Sequence, residues 1–228
     1  MLKDLEKELN KRGFSTDVRK AIRNAKICII DDRIDHLKSF MDGLRKEGFT
    51  NLIEKTHVES INELLENAYE LIILDLKGVA EDISSDDGIG VIESLKHASP
   101  ALPILVISGT TTSPDKAKTL SMADLIRTKP VFPADLASDV DDILKTRKDP
   151  YWSALTVLKE LQRIQPDIRQ DLCMTDKIKL WLLQQSIINK LKKHDESVTS
   201  KVLKVVSIVE KLGTITIRIV TIANGIGS

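Results

Sequence analysis

Between residues 26 and 128, five short runs rich in Ile, Leu and Val alternate with stretches of helical period. Strand runs separated by amphipathic helices predict βαβ units, hence a parallel sheet with right-handed crossovers and helices on both faces. Four of the runs end in residues that carry chemistry. Lys26–Ile30 ends in Asp31-Asp32, Leu71–Leu74 in Asp75, Pro103–Ile107 in Ser108-Gly109, and Asp124–Thr128 in Lys129-Pro130. Ligands of open α/β sheets bind beyond the carboxyl ends of the strands. One sheet edge would therefore gather three carboxylates, a hydroxyl and an ammonium. Three clustered carboxylates repel one another, and a hard dication with oxygen ligands relieves that. The same set suits a phosphoryl group.

The remaining run, residues 51–55, completes five β-α units. Helices are expected over Ile34–Leu44, Val58–Leu65, Ile89–Leu95, residues 114–121, and from Pro133 through Leu136, Val140 and Ile143. This predicts a five-stranded, doubly wound parallel sheet over residues 25–147. Residues 1–24 read as a helical extension, with Leu2, Leu5 and Leu9 at helical spacing. The polar stretch Lys145–Pro150 reads as a linker, and residues 148–228 as a mainly helical region. Its expected helices cover about 151–165, 175–194 (with Thr175 as cap) and a third from Val198 carrying Val202, Val205, Val209 and Leu212. Thr214–Ile222 alternates like a strand; helix continuation is preferred, because a lone strand has no local partner.

The chain of 228 residues has no net charge, but residues 1–27 carry +4, residues 28–147 carry −9 and residues 148–228 carry +5. Basic ends around an acidic centre favour self-association or an anionic partner. The two cysteines, Cys28 in an apolar run and Cys173 far from it, form no disulfide framework. The charged N-terminus is unlike a signal peptide, and no apolar run reaches spanning length. A cytoplasmic setting is expected. His36, His57, His97 and His194 are scattered without metal-ligand spacing, and His36 and His57 read as solvated.

With its four motifs in this order, the segment resembles a response-regulator receiver domain of bacterial two-component signalling, a flavodoxin-like fold. The resemblance implies Asp75 as phosphoacceptor and Mg²⁺ held by Asp31, Asp32, Asp75 and the backbone carbonyl of Lys77. It implies Lys129 and Ser108 on the phosphoryl oxygens, a cis bond before Pro130, and a histidine kinase or other phosphodonor as partner. Such a protein catalyses its own phosphorylation and dephosphorylation and turns over no separate substrate. Three departures stand out: a long loop from Asp75 to Gly88 carrying Glu81, Asp82, Asp86 and Asp87; Lys77 two residues past the acceptor; and Ile126 where the family carries its switch aromatic. The long loop reads first as solvated, with restriction of phosphodonors or metal binding at the pocket rim as the alternatives.

The helical region matches no output domain and lacks a helix-turn-helix followed by a basic recognition helix, which disfavours nucleic acid. Lys190, Lys192 and Lys193 read as a solvated helix end. The apolar stretch 198–227 is open to three readings: the core of a small bundle, an association surface including homo-oligomerisation, or a membrane contact. The leading expectation is a phosphorylation-controlled signalling protein read out by its helical flanks through protein–protein association. The alternative is an unphosphorylated receiver-like scaffold whose C-terminal helices are an assembly or membrane-active effector.

Overall fold

The computed structural model describes residues 2–109, 114–168 and 173–209. They divide into two compact units, residues 20–144 and residues 1–19 with 145–228, the boundaries falling inside the helices α2 (Thr16–Arg23) and α7 (Pro133–Lys148).

The first unit is built on five strands: β1 (Ile27–Ile30), β2 (Leu52–Lys55), β3 (Leu71–Asp75), β4 (Ile104–Ser108) and β5 (Leu125–Thr128). All pairs are parallel and the order is β2-β1-β3-β4-β5. Helices α3 (Ile34–Lys46), α4 (Ile61–Glu66), α5 (Gly88–Ala98), α6 (Pro114–Leu120) and α7 (Pro133–Lys148) connect or follow them. β1, β3 and β4 are buried at every position, as expected for strands covered on both faces. Side chains alternate along a strand. Cys28, Ile30, Ile72, Leu74, Ile104 and Val106 form one core with Leu64, Ile92, Leu95 and Leu120 from α4, α5 and α6.

Lys96 of α5 is buried, and its ammonium donates to the Leu102 carbonyl at 2.8 Å and to Asp124 at 2.6 Å. Asp124 also accepts from the Ile104 amide at 3.0 Å, so one carboxylate joins the starts of β4 and β5 to α5. A charge this deep persists only when paired.

The second unit joins both ends of the chain. α1 (Leu2–Arg12) packs on α8 (Pro150–Ile168), which lies against α9 (Met174–Lys193) and α10 (Val198–Val209). Leu5 and Leu9 share one apolar core with Trp152, Leu155, Leu158, Leu161, Ile187, Leu191, Val198, Val202 and Val205. The apolar stripe of α10 is thus spent inside this unit, as the bundle reading expects. The side chain of Val209, the whole of Leu212 at the end of that stripe, and the strand-or-helix question over Thr214–Ile222 lie outside what is described. α9 behaves differently: Ile188 and Leu191 are buried, while Met174, Ile178, Trp181 and Leu182 are exposed.

Two expectations are corrected. Lys145–Pro150 is no linker, because α7 runs to Lys148 and α8 starts at Pro150. Asp149 makes that junction. Its buried carboxylate accepts from the amides of Tyr151 (2.8 Å) and Trp152 (3.1 Å) and pairs with Arg12 at 2.5 Å. A carboxylate N-cap followed by Pro at the first helical position starts a helix well. Thr175 is not a cap: the Lys177 amide already bonds the Cys173 carbonyl at 3.1 Å, so α9 begins at Met174. Among the described residues, no helix is long and apolar enough to cross a membrane.

Cys28 is fully buried and burial pushes its thiol up to about 12, whereas Cys173 is exposed. The thiolate is the reactive form. Iodoacetamide at pH 8 is expected to add one adduct to the native protein and a second only after denaturation, read by intact mass. A rapid second adduct on native protein would mean that β1 opens.

Candidate functional site

Register places the acidic residues. Ile30 of β1 lies opposite Leu74 of β3, so Asp31 and Asp75 leave the sheet side by side. Ser108 ends β4 opposite Thr128, which puts Lys129 one residue beyond on the next strand. Carboxylate oxygens of Asp31, Asp32 and Asp75 lie within 4.8 Å of one another, Asp31 and Asp75 buried and Asp32 exposed. This all-oxygen, densely negative donor set fits a hard divalent cation.

Lys129 supplies the opposing charge. Its ammonium donates to Asp75 Oδ2 at 2.7 Å and to Asp31 Oδ2 at 3.1 Å. The other oxygen of Asp75 accepts from the Leu76 amide at 2.8 Å. Burial pushes the Asp75 carboxyl above its ordinary range, aided by the Asp31 charge and opposed by Lys129. For Lys129, burial works downward, but the bonds to Asp75 and Asp31 outweigh it and its pKa is raised. The Lys129-Pro130 peptide is cis, as the resemblance implies. Ser108 is buried at the same edge, and Lys77 is exposed in the loop after β3. Ile126 is exposed on β5.

Asp32 does not cap α3: the N-cap position is Arg33, without a side-chain cap bond. Asp32 instead lies against Gly78. A Cβ at Gly78 would meet Asp32 Oδ2 at 2.8 Å, and Gly78 has φ +76. The long loop is also more than a solvated excursion. Asp87 accepts from the amides of Gly78 (2.5 Å), Val79 (3.1 Å) and Ala80 (2.7 Å), and Val79 and Ala80 enter the core. Asp86 pairs with Lys116 at 2.9 Å. Asp87 therefore folds the loop back so that Gly78 borders the carboxylates.

Sequence reasoning misses His36. Expected as solvated, it sits in the first turn of α3 with Nδ1 at 3.2 and 3.1 Å from the two oxygens of Asp31. The available signal is its position five residues after Asp31, at the start of the helix that leaves the strand end.

The family model for the response regulator receiver domain matches residues 27–141. This chain belongs to that family. Receiver domains are signalling modules, not enzymes that turn over a separate substrate. The chain is 27% identical over 127 residues to the transcriptional regulatory protein PrrA of Mycobacterium tuberculosis, covering 55% of this chain and 52% of that protein. It is 24% identical over 107 residues to the transcriptional regulatory protein ZraR of Escherichia coli K12, covering 46% of this chain and 23% of that protein. The chain spans about half the length of PrrA and less of ZraR. A CheY-like receiver domain protein from Methanospirillum hungatei, 23% identical, aligns with 54% of this chain and 94% of its own at a TM-score of 0.44. One from Clostridium thermocellum, 20% identical, covers 54% and 97% at 0.46. The receiver match ends before α8, α9 and α10.

Gly78 generates a prediction. Gly78→Ala imposes a left-handed conformation costing about 1–2 kcal/mol on a residue with a side chain and pushes on Asp32. A melting point lower by about 3–8 °C is expected, together with weaker Mg²⁺-induced stabilisation. Wild-type melting behaviour in both respects would show that the loop does not brace the carboxylates.

Proposed function

We propose that Asp75 accepts a phosphoryl group from a histidine kinase or another phosphodonor, and that the helical unit passes the change on by protein–protein association. The supporting observation is the Lys129 ammonium shared by Asp75 and Asp31 beside a third carboxylate. An anionic Asp75 oxygen is the nucleophile; its new bond to phosphorus forms as the donor's bond to phosphorus breaks. Lys129 is positioned to move from the carboxylate to a phosphoryl oxygen, following the charge. The Ser108 hydroxyl, at the next strand end, donates to a second oxygen. Asp31, Asp32, Asp75 and the carbonyl of Lys77 are the proposed Mg²⁺ ligands. When bound, the cation would offset the negative charge of the incoming phosphoryl oxygens.

Incubation with acetyl phosphate and Mg²⁺ is expected to add the mass of one phosphoryl group to the wild type and none to Asp75→Asn. EDTA should abolish the gain. No gain on wild type, under conditions that label a control receiver, would favour the unphosphorylated scaffold.

The output surface is proposed on α9. Met174, Ile178, Trp181 and Leu182 recur at i, i+4, i+7 and i+8, forming one exposed apolar stripe in its first half. The face then turns polar at Gln185 and Asn189. A second copy of the chain is the proposed occupant, since a two-fold contact needs only one self-complementary patch. Beryllofluoride-treated wild type should be larger than Trp181→Glu by light scattering. A monomer in both phosphorylation states would remove this assignment and leave the receiver site untouched.

A further inference from the structure

Asp31 is the most heavily engaged side chain of the site. Its Oδ1 accepts from the Arg33 amide at 3.0 Å and faces His36 Nδ1 at 3.2 Å; its Oδ2 faces His36 Nδ1 at 3.1 Å and Lys129 at 3.1 Å. A carboxylate only accepts, so the nitrogen pointing at both oxygens must carry a hydrogen. The tautomer is thereby assigned: Nδ1 is the donor. Lys129 Nζ lies 3.4 Å from the same nitrogen. Both groups are donors, so this contact is not a hydrogen bond; they compete for Asp31.

That competition separates two roles. In the proposed reaction Lys129 leaves the carboxylates for a phosphoryl oxygen. Of its hydrogen-bond donors within the protein, Asp31 would then keep the Arg33 amide and His36. His36 is itself held: it projects from the first turn of α3, is partly buried, and packs a tilted ring pair with Phe40 at 6.2 Å between centroids. Its nitrogens are not among the ligand atoms clustered within 4.8 Å, so it stands behind the acidic group rather than in it. Groups that hydrogen-bond a ligating carboxylate orient it and commonly change metal affinity by about 10–100-fold.

We propose that His36 is a positioning residue of the cation site: its Nδ1–H fixes the Asp31 carboxylate and holds it when Lys129 transfers to the phosphoryl group. The inference rests on the proposed reading of Asp31, Asp32 and Asp75 as a Mg²⁺ site. It adds a residue from α3 to the four strand-end motifs. Polar hydrogen bonding, not ring bulk, is the property required, and an Asn amide offers a donor at the same side-chain position.

The test is Mg²⁺ titration of the full chain by calorimetry, on wild type, His36→Leu and His36→Asn. His36→Leu keeps an apolar side chain beside Phe40 but loses the donor, and its Kd is expected to rise by about 10-fold or more. His36→Asn should stay within about 3-fold of wild type, since it restores the donor. A merely structural role for the ring would weaken both variants alike, and melting curves without metal report whether either variant is unfolded. Equal affinity of wild type and His36→Leu, or no recovery in a folded His36→Asn, overturns the proposal. A wild type that binds no Mg²⁺ overturns both this proposal and the cation reading beneath it, and that result is distinct because no variant then matters.

Discussion

Three carboxylates at one sheet edge are the constraint on which this structure turns. Asp31 and Asp75 leave neighbouring strands in register, and Asp32 follows directly. Like charges this close, two of them buried, oppose folding unless cations meet them. Lys129 meets two of them from the last strand, so β1, β3 and β5 are linked electrostatically across the sheet. That linkage only works because the strands are parallel: all carboxyl ends lie on one side. An antiparallel neighbour would send its terminal residue to the far edge.

The same edge shapes the loops around it. The insertion after β3 closes on itself through Asp87, whose carboxylate satisfies three consecutive backbone amides. Without a partner those amides would be costly near the core. The closure brings Gly78 against Asp32, so the insertion forms part of the wall. His36 enters from the first turn of α3 and donates to Asp31. Two local chain segments, one acidic loop and one helix start, thus complete what the strand ends begin.

Beyond the receiver, burial divides the helices by role. α10 uses Val198, Val202 and Val205 in the core of its unit, and α1 contributes Leu5 and Leu9 to the same core. An N-terminal helix and three C-terminal helices therefore stand or fall together, although some 130 residues of sequence separate them. Among the described residues, α9 leaves a row of large apolar side chains in water at its first half. Exposed apolar rows of this kind mark contact surfaces.

The sheet, its order of elements and the strand-end residues were legible in the sequence because they are local patterns. Apolar runs punctuated by Asp, Ser-Gly and Lys-Pro need no knowledge of distant residues, and Pro133 announces its helix by itself. The contents of the loop after Asp75 were not legible, because an acidic loop looks the same whether its carboxylates face water or backbone amides. His36 was misread for a similar reason: one histidine on a helix acquires meaning only when the strand before it aims a carboxylate at its ring. Lys145–Pro150 looked like a linker because polar composition does not reveal that Asp149 is buried and capped onto Tyr151 and Trp152. Sequence alone determined which chemistry gathers at the sheet edge, through strand ends and parallel topology. Only the tertiary structure decided which charges are paired and which apolar faces are covered, since pairing and burial depend on residues brought together from far along the chain.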